Sequence, residues 1–107
     1  MTPLLIATVN QNFEVFAFLC SLKDVDVNCC NFSKMTPLHF CAKCNLFDYV
    51  KILIDHEGII LNPKDSNNVF LFLFFNKTPL DLAEGYRQNE MVIFLKKLYK
   101  EKNLLEE

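Results

Sequence analysis

The sequence predicts an all-α solenoid of helix–turn–helix repeats joined by hairpin-like loops. The tripeptide Thr-Pro-Leu occurs three times, starting at Thr2, Thr36 and Thr78. The stretches that follow rhyme: TPLLIATVNQNFEVFAFL, TPLHFCAKCNLFDYVKIL and TPLDLAEGYRQNEMVIFL. After a polar break in each, apolar residues recur at the three-to-four spacing of an amphipathic helix. Self-similarity with a period in the low thirties marks units that bury their apolar faces only by stacking. Such a stack has no central cleft by default, which favours surface recognition over catalysis.

The first helix of each unit starts at Thr-Pro. Threonine caps free backbone N–H groups, and proline suits the first helical position because its missing N–H costs nothing there. Asp81, three residues after Thr78, adds a carboxylate at the positive helix end. Polar breaks follow at Asn10-Gln11-Asn12, at Asn45 and at Arg87-Gln88-Asn89. The second helices then carry Val15, Phe18, Leu19 and Leu22; Val50, Leu53 and Ile54; and Met91, Phe94, Leu95 and Leu98. Turn formers separate the units: Asp24, Asp26, Asn28, Asn31 and Ser33, then Asn62, Pro63, Asp65, Ser66, Asn67 and Asn68.

The first two Thr-Pro-Leu copies start 34 residues apart and the next two 42 apart. Val27-Asn28 and Leu61-Asn62 lie at equal distances after their own copies. From Asn28 to Thr36 is eight residues, but from Asn62 to Thr78 is sixteen. The second connection therefore holds eight extra residues, placed at 69–76. One domain over 1–107 is expected, with repeats at about 1–35, 36–77 and 78–107.

These residues resemble the ankyrin repeat. Its TPLHxA hallmark stands as Thr36-Pro37-Leu38-His39-Phe40-Cys41-Ala42, with Cys41 where the motif wants a small buried residue, and a TPLDLA variant runs from Thr78 to Ala83. The DVN that closes a unit in that family is Asp26-Val27-Asn28, echoed by Ile60-Leu61-Asn62. The resemblance implies a structural histidine at His39, hydrogen-bonded around the hairpin and helix start. It also implies glycine in the inter-helix turns, where this chain has Gln11, Asn45 and Arg87, and in the hairpins, where it has Lys34 and Asn68. Asparagine accepts a left-handed backbone more readily than glutamine or arginine, so reduced thermal stability is expected.

Length and charge fit one domain with a continuous core. A net charge of −2 gives no reason to propose nucleic-acid binding. The first 22 residues are apolar with one charge, Glu14, but lack a basic start, and Asn10-Gln11-Asn12 interrupts the run. No stretch approaches the roughly 20 apolar residues that span a bilayer. A cytoplasmic or nuclear location is expected.

The two ends differ. Lys96, Lys97, Lys100, Glu101, Lys102, Glu106 and Glu107 give the last helix a solvated face, as expected of a terminal repeat. The first repeat carries Leu4, Leu5, Ile6, Val9, Phe13, Phe16 and Phe18 with little polar cover. The expectation is that the chain ends a longer array; the alternative is that its open first face docks another element or self-associates with a second copy.

Five cysteines occur, at 20, 29, 30, 41 and 44. Cys41-Ala-Lys-Cys44 with His39 and Cys29-Cys30 nearby raises a zinc or redox reading. The favoured reading is a small buried apolar residue at Cys41, an exposed Cys44, reduced thiols and no metal site. His56 reads as a solvent-facing residue near a negative helix end. Asp24 with Asp26, and Asp48 with Asp55, read as turn and surface charges. With only Gly58 and Gly85 there is no phosphate-cradling loop. No enzyme and no cofactor is expected; the alternatives are a small cysteine-dependent zinc or redox protein and the targeting arm of a larger enzyme.

Recognition of another protein remains. The resemblance implies binding by the hairpin tips and the exposed faces of the first helices. The matching loop positions are Phe32, Ser33, Met35, Ser66, Asn67 and Lys77; the helix positions are Val9, Asn10, Lys43, Cys44, Gly85 and Tyr86. Phe32, Met35 and Tyr86 are the expected anchors, unless Phe32 and Met35 pack beneath the hairpin. Micromolar affinity suits so small a footprint. Val69, Phe70, Leu71, Phe72, Leu73, Phe74 and Phe75 form an uncharged run of high β-propensity at the loop position. It reads as an apolar finger for a partner or membrane surface, as a strand folded over neighbouring helices, or as sequence foreign to the functional protein.

Overall fold

The computed structural model of the protein describes residues 2–61 and 77–102. Among these, six helices and no strand occur: α1 (Pro3–Val9), α2 (Phe13–Cys20), α3 (Pro37–Cys44), α4 (Phe47–Ile54), α5 (Pro79–Gly85) and α6 (Asn89–Glu101). The helices pair as predicted, α1 with α2, α3 with α4 and α5 with α6. The first helices pack in sequence, α1 on α3 and α3 on α5, and α2 packs on α4 behind them. The backbones of α4 and α6 stand farther apart and are bridged by Phe47 and Phe94, rings edge to face at 5.8 Å.

Each Thr-Pro start forms for the reason the sequence suggests. The Thr2, Thr36 and Thr78 hydroxyls accept the backbone N–H groups of Leu5, His39 and Asp81. At Thr78 the cap is reciprocal, since the Asp81 carboxylate accepts the Thr78 N–H at 2.9 Å. At Thr36 an imidazole takes the carboxylate's place: the Thr36 N–H donates to His39 Nδ1 at 3.0 Å. His39 Nε2 then lies 2.7 Å from the Lys77 carbonyl, ahead of α5. A carbonyl only accepts, so the proton sits on Nε2 and Nδ1 is the acceptor. The buried ring thereby joins the second repeat to the third.

Among the described residues, four non-glycine residues have positive φ: Gln11 (56°), Lys34 (59°), Asn45 (63°) and Arg87 (58°). Three close the inter-helix turns and Lys34 closes the first hairpin. The family resemblance asks for glycine at these four positions.

The core is one layer of apolar side chains between the helix pairs. Leu5, Phe16, Leu38, Cys41, Val50, Leu53, Met91 and Leu95 have no exposed surface, each large one worth about 1.5–3 kcal/mol of transfer from water. The second and third repeats keep most of the expected stripe, with Val50, Leu53, Met91, Leu95 and Leu98 buried and Ile54 and Phe94 half-buried. The first does not. Phe16 is buried against Tyr49, ring centroids 4.6 Å apart, whereas Val15, Phe18 and Leu22 are exposed. Helix α2 is apolar around most of its circumference, so spacing alone does not select a core side; contact with α4 does. Lys96, Lys97, Lys100, Glu101 and Lys102 are exposed as expected, while Glu106 and Glu107 lie outside the described residues.

Candidate interaction surface

The first hairpin is built around Asn31. Its side-chain oxygen accepts the N–H groups of Ser33 at 2.9 Å and Met35 at 3.0 Å. Its backbone accepts from Lys34 N–H at 2.9 Å and donates to the Met35 carbonyl at 3.1 Å. This is a four-residue turn, 31–34, whose last residue, Lys34, is left-handed, the geometry of a hairpin with a bulge. Phe32 at the crest is fully exposed, while Ser33 and Met35 are half-buried. Phe32 therefore does not pack beneath the hairpin.

A second hydrogen-bonded link holds this loop to the next one. The Asn28 amide donates to the Gly58 carbonyl at 2.8 Å and accepts the Ile60 N–H at 2.9 Å. Asp26 caps the same turn by accepting the Asn28 N–H at 2.9 Å. Within the second loop, His56 Nδ1 accepts the Gly58 N–H at 3.2 Å. His56 is half-buried and shapes that turn instead of standing free in solvent.

Along the first helices, Lys43 and Tyr86 come together. The Lys43 ammonium sits 5.1 Å from the centre of the Tyr86 ring, a cation–π contact. Gln88 reinforces the junction by donating its amide to the Lys43 carbonyl at 2.8 Å. Tyr86, Cys44, Asn10 and Gly85 are exposed, Val9 is about 40% exposed and Lys43 is half-buried. Lys77 is half-buried directly before the α5 cap, its carbonyl engaged by His39. Ser66, Asn67 and the Val69–Phe75 run lie outside the described residues. Asn28, Asn31 and Gln88 were not foreseen as positioning residues; only the turn propensity of the two asparagines hinted at it.

The cysteines divide by environment. Cys41 is fully buried and Cys29 nearly so, while Cys30 and Cys44 are exposed. Burial pushes the Cys41 thiol well above its ordinary range, with a smaller contribution from the neighbouring Cys44 and Cys20. Burial, then the nearby Cys29, pushes Cys20 up to about 11. Cys29 is raised mainly by burial, against the lowering effect of the Thr2 hydroxyl, 2.9 Å from its sulfur. Protonated thiols are poor nucleophiles and poor metal ligands. Among the described residues no three His, Cys, Asp or Glu side chains gather as a metal site, and no helix is long and apolar enough to cross a membrane.

A family model described as ankyrin repeats (3 copies) matches residues 4–105. The chain belongs to the ankyrin-repeat family. Ankyrin repeats are generally non-catalytic protein–protein interaction modules. No curated protein matches the sequence closely enough to count as a relative.

Proposed function

We propose that this ankyrin-repeat chain is a non-catalytic recognition module. It binds a partner protein through its hairpin tips, Phe32, Ser33 and Met35 with Ser66, Asn67 and Lys77, and through Lys43, Cys44 and Tyr86 on the first helices. The observation that carries this reading is Phe32: a fully exposed aromatic ring on a turn fastened by four backbone and side-chain hydrogen bonds. An exposed phenylalanine contributes nothing to the monomer core, while a turn already ordered removes much of the entropic cost of docking. Buried aromatic anchors dominate interface energies.

Paired affinity capture from lysate, with wild-type and Phe32→Ala baits, tests the proposal. The variant should fold normally and recover its specific partner at least about tenfold less well. A bait lacking residues 69–76 should retain the partner. Equal capture by wild type and Phe32→Ala would remove the hairpin tip from the binding surface.

A further inference from the structure

Gly85 is a glycine that the fold itself does not require. It is the last residue of α5, its φ is not positive, and a Cβ there would meet nothing within 4 Å outside its own helix. Neither a turn nor close packing explains it, and alanine is the better helix former. A glycine at such a place leaves a notch in the helix surface, where another backbone can come close.

The stack sets charged and aromatic side chains around that notch. Three repeats in register align Val9, Lys43 and Gly85, then Asn10, Cys44 and Tyr86, then Gln11, Asn45 and Arg87. The Lys43 ammonium lies over the Tyr86 ring at 5.1 Å, and the Gln88 amide ties the turn after α5 to the Lys43 carbonyl at 2.8 Å. Arg87 is exposed next to Tyr86, its N–H bonded to the Glu84 carbonyl at 3.2 Å.

The charges available on this face have one sign. Helix α1 carries none. The carboxylates of α5 are engaged within the chain, Asp81 by the Thr78 N–H at 2.9 Å and Glu84 by Lys96 at 3.8 Å. Asp48 and Glu90 sit in the first turns of α4 and α6, at the positive ends of those helices. Among the described residues neither Lys43 nor Arg87 makes an ion pair. Two cations thus stand ready on the face of a chain whose net charge is −2.

We infer that the α3–α5 face takes an extended, acidic segment of the partner protein, its backbone crossing the notch at Gly85 and its carboxylates meeting Lys43 and Arg87. This rests on the recognition reading above and adds the partner's chemistry to it. Only an extended chain, whose backbone is bare along its edge, enters so shallow a notch; a helix is held off by its own side chains. The Tyr86 ring already positions the Lys43 ammonium, which lowers the ordering cost of an ion pair there. A basic segment would set like charges together and be rejected. The first repeat offers Val9, Asn10 and Gln11 at the same positions, so the acidic contact belongs to the second and third repeats.

Selection of random phage-displayed peptides on the full chain, and on Lys43→Glu/Arg87→Glu, tests this. Wild type should enrich Asp and Glu, and the double variant should lose that enrichment. Fluorescence anisotropy with the best wild-type peptide should show the double variant binding at least about tenfold more weakly, with a difference that shrinks in high salt. Gly85→Ala should also weaken binding about tenfold while its urea midpoint holds or rises, a split that a merely structural glycine would not give. Acidic peptides bound equally well by Phe32→Ala would uphold this face independently of the hairpin tip. Peptides without acidic excess, no peptides at all, or Gly85→Ala binding as tightly as wild type would overturn the inference. Lysate capture that depends on Phe32 but not on Lys43 or Arg87 would also overturn it, while the hairpin reading stood.

Discussion

Replacing Gln11, Lys34 and Arg87 with glycine is expected to stabilise the protein. Their φ angles of 56°, 59° and 58° lie in the left-handed region, and all three side chains are exposed. A non-glycine residue there costs about 1–2 kcal/mol in contact between Cβ and the following carbonyl. Glycine removes that contact but loses about 0.5–1 kcal/mol more backbone entropy on folding. The net gain is about 0.5–1 kcal/mol per site. The turns are separate, their N–H groups bonding to Thr8, Asn31 and Glu84 respectively, so the gains should add to about 2 kcal/mol. In a domain of this size that raises Tm by about 10 °C. Urea unfolding followed by circular dichroism reads the effect. Gln11→Ala and Arg87→Ala serve as controls, since alanine keeps the Cβ and should give no gain. Asn45→Gly should gain only a few tenths of a kcal/mol because asparagine tolerates this backbone. Glycine variants that unfold at the same or lower urea concentration than the parent would refute the strain argument, as would alanine variants that match them.

Asn28→Ala removes both hydrogen bonds between adjacent hairpins and should lower the unfolding free energy by about 1–2 kcal/mol in the same assay. The buried thiols predict an alkaline limit. Their folded-state pKa values are raised, so their contribution is intact below the ordinary thiol value of 9.0 and is lost as pH climbs, through about 11 for Cys20. Urea midpoints between about pH 8 and 11 should therefore fall in the parent and fall less steeply in Cys41→Ala; an unchanged slope would detach Cys41 from the effect.

Much of the fold could be read from the chain because Thr-Pro-Leu carries local physics: a cap, a fixed φ and an apolar side chain at once. His39 and Asp81 follow from the same logic, each closing its helix start from three residues on. The left-handed turns could also be located, since the family pattern asks for glycine where Gln11, Asn45 and Arg87 stand. The side of α2 that packs could not, because its apolar residues surround the helix and only α4 decides among them. The exposure of Phe32 was equally hidden, for an apolar loop residue more often tucks under its own turn. It depends on Asn31 occupying both neighbouring N–H groups, which leaves the ring at the crest. The Asn28 and Gln88 links needed the distance between stacked repeats, which no single repeat encodes. The proposed partner-binding residues rest on the family pattern together with this geometry.

Both ends of the connection between the second and third repeats are fastened to the scaffold. The Tyr99 hydroxyl donates to the Leu61 carbonyl at 2.6 Å, and His39 holds the Lys77 carbonyl at 2.7 Å. The register of α5 on α3 is thus set by clamps outside the connection, not by its length. Doubling a connection from eight to sixteen residues, as between Asn28–Thr36 and Asn62–Thr78, then adds only about 0.6 kcal/mol of closure entropy. Helices on either side can therefore keep their places beside a connection of either length.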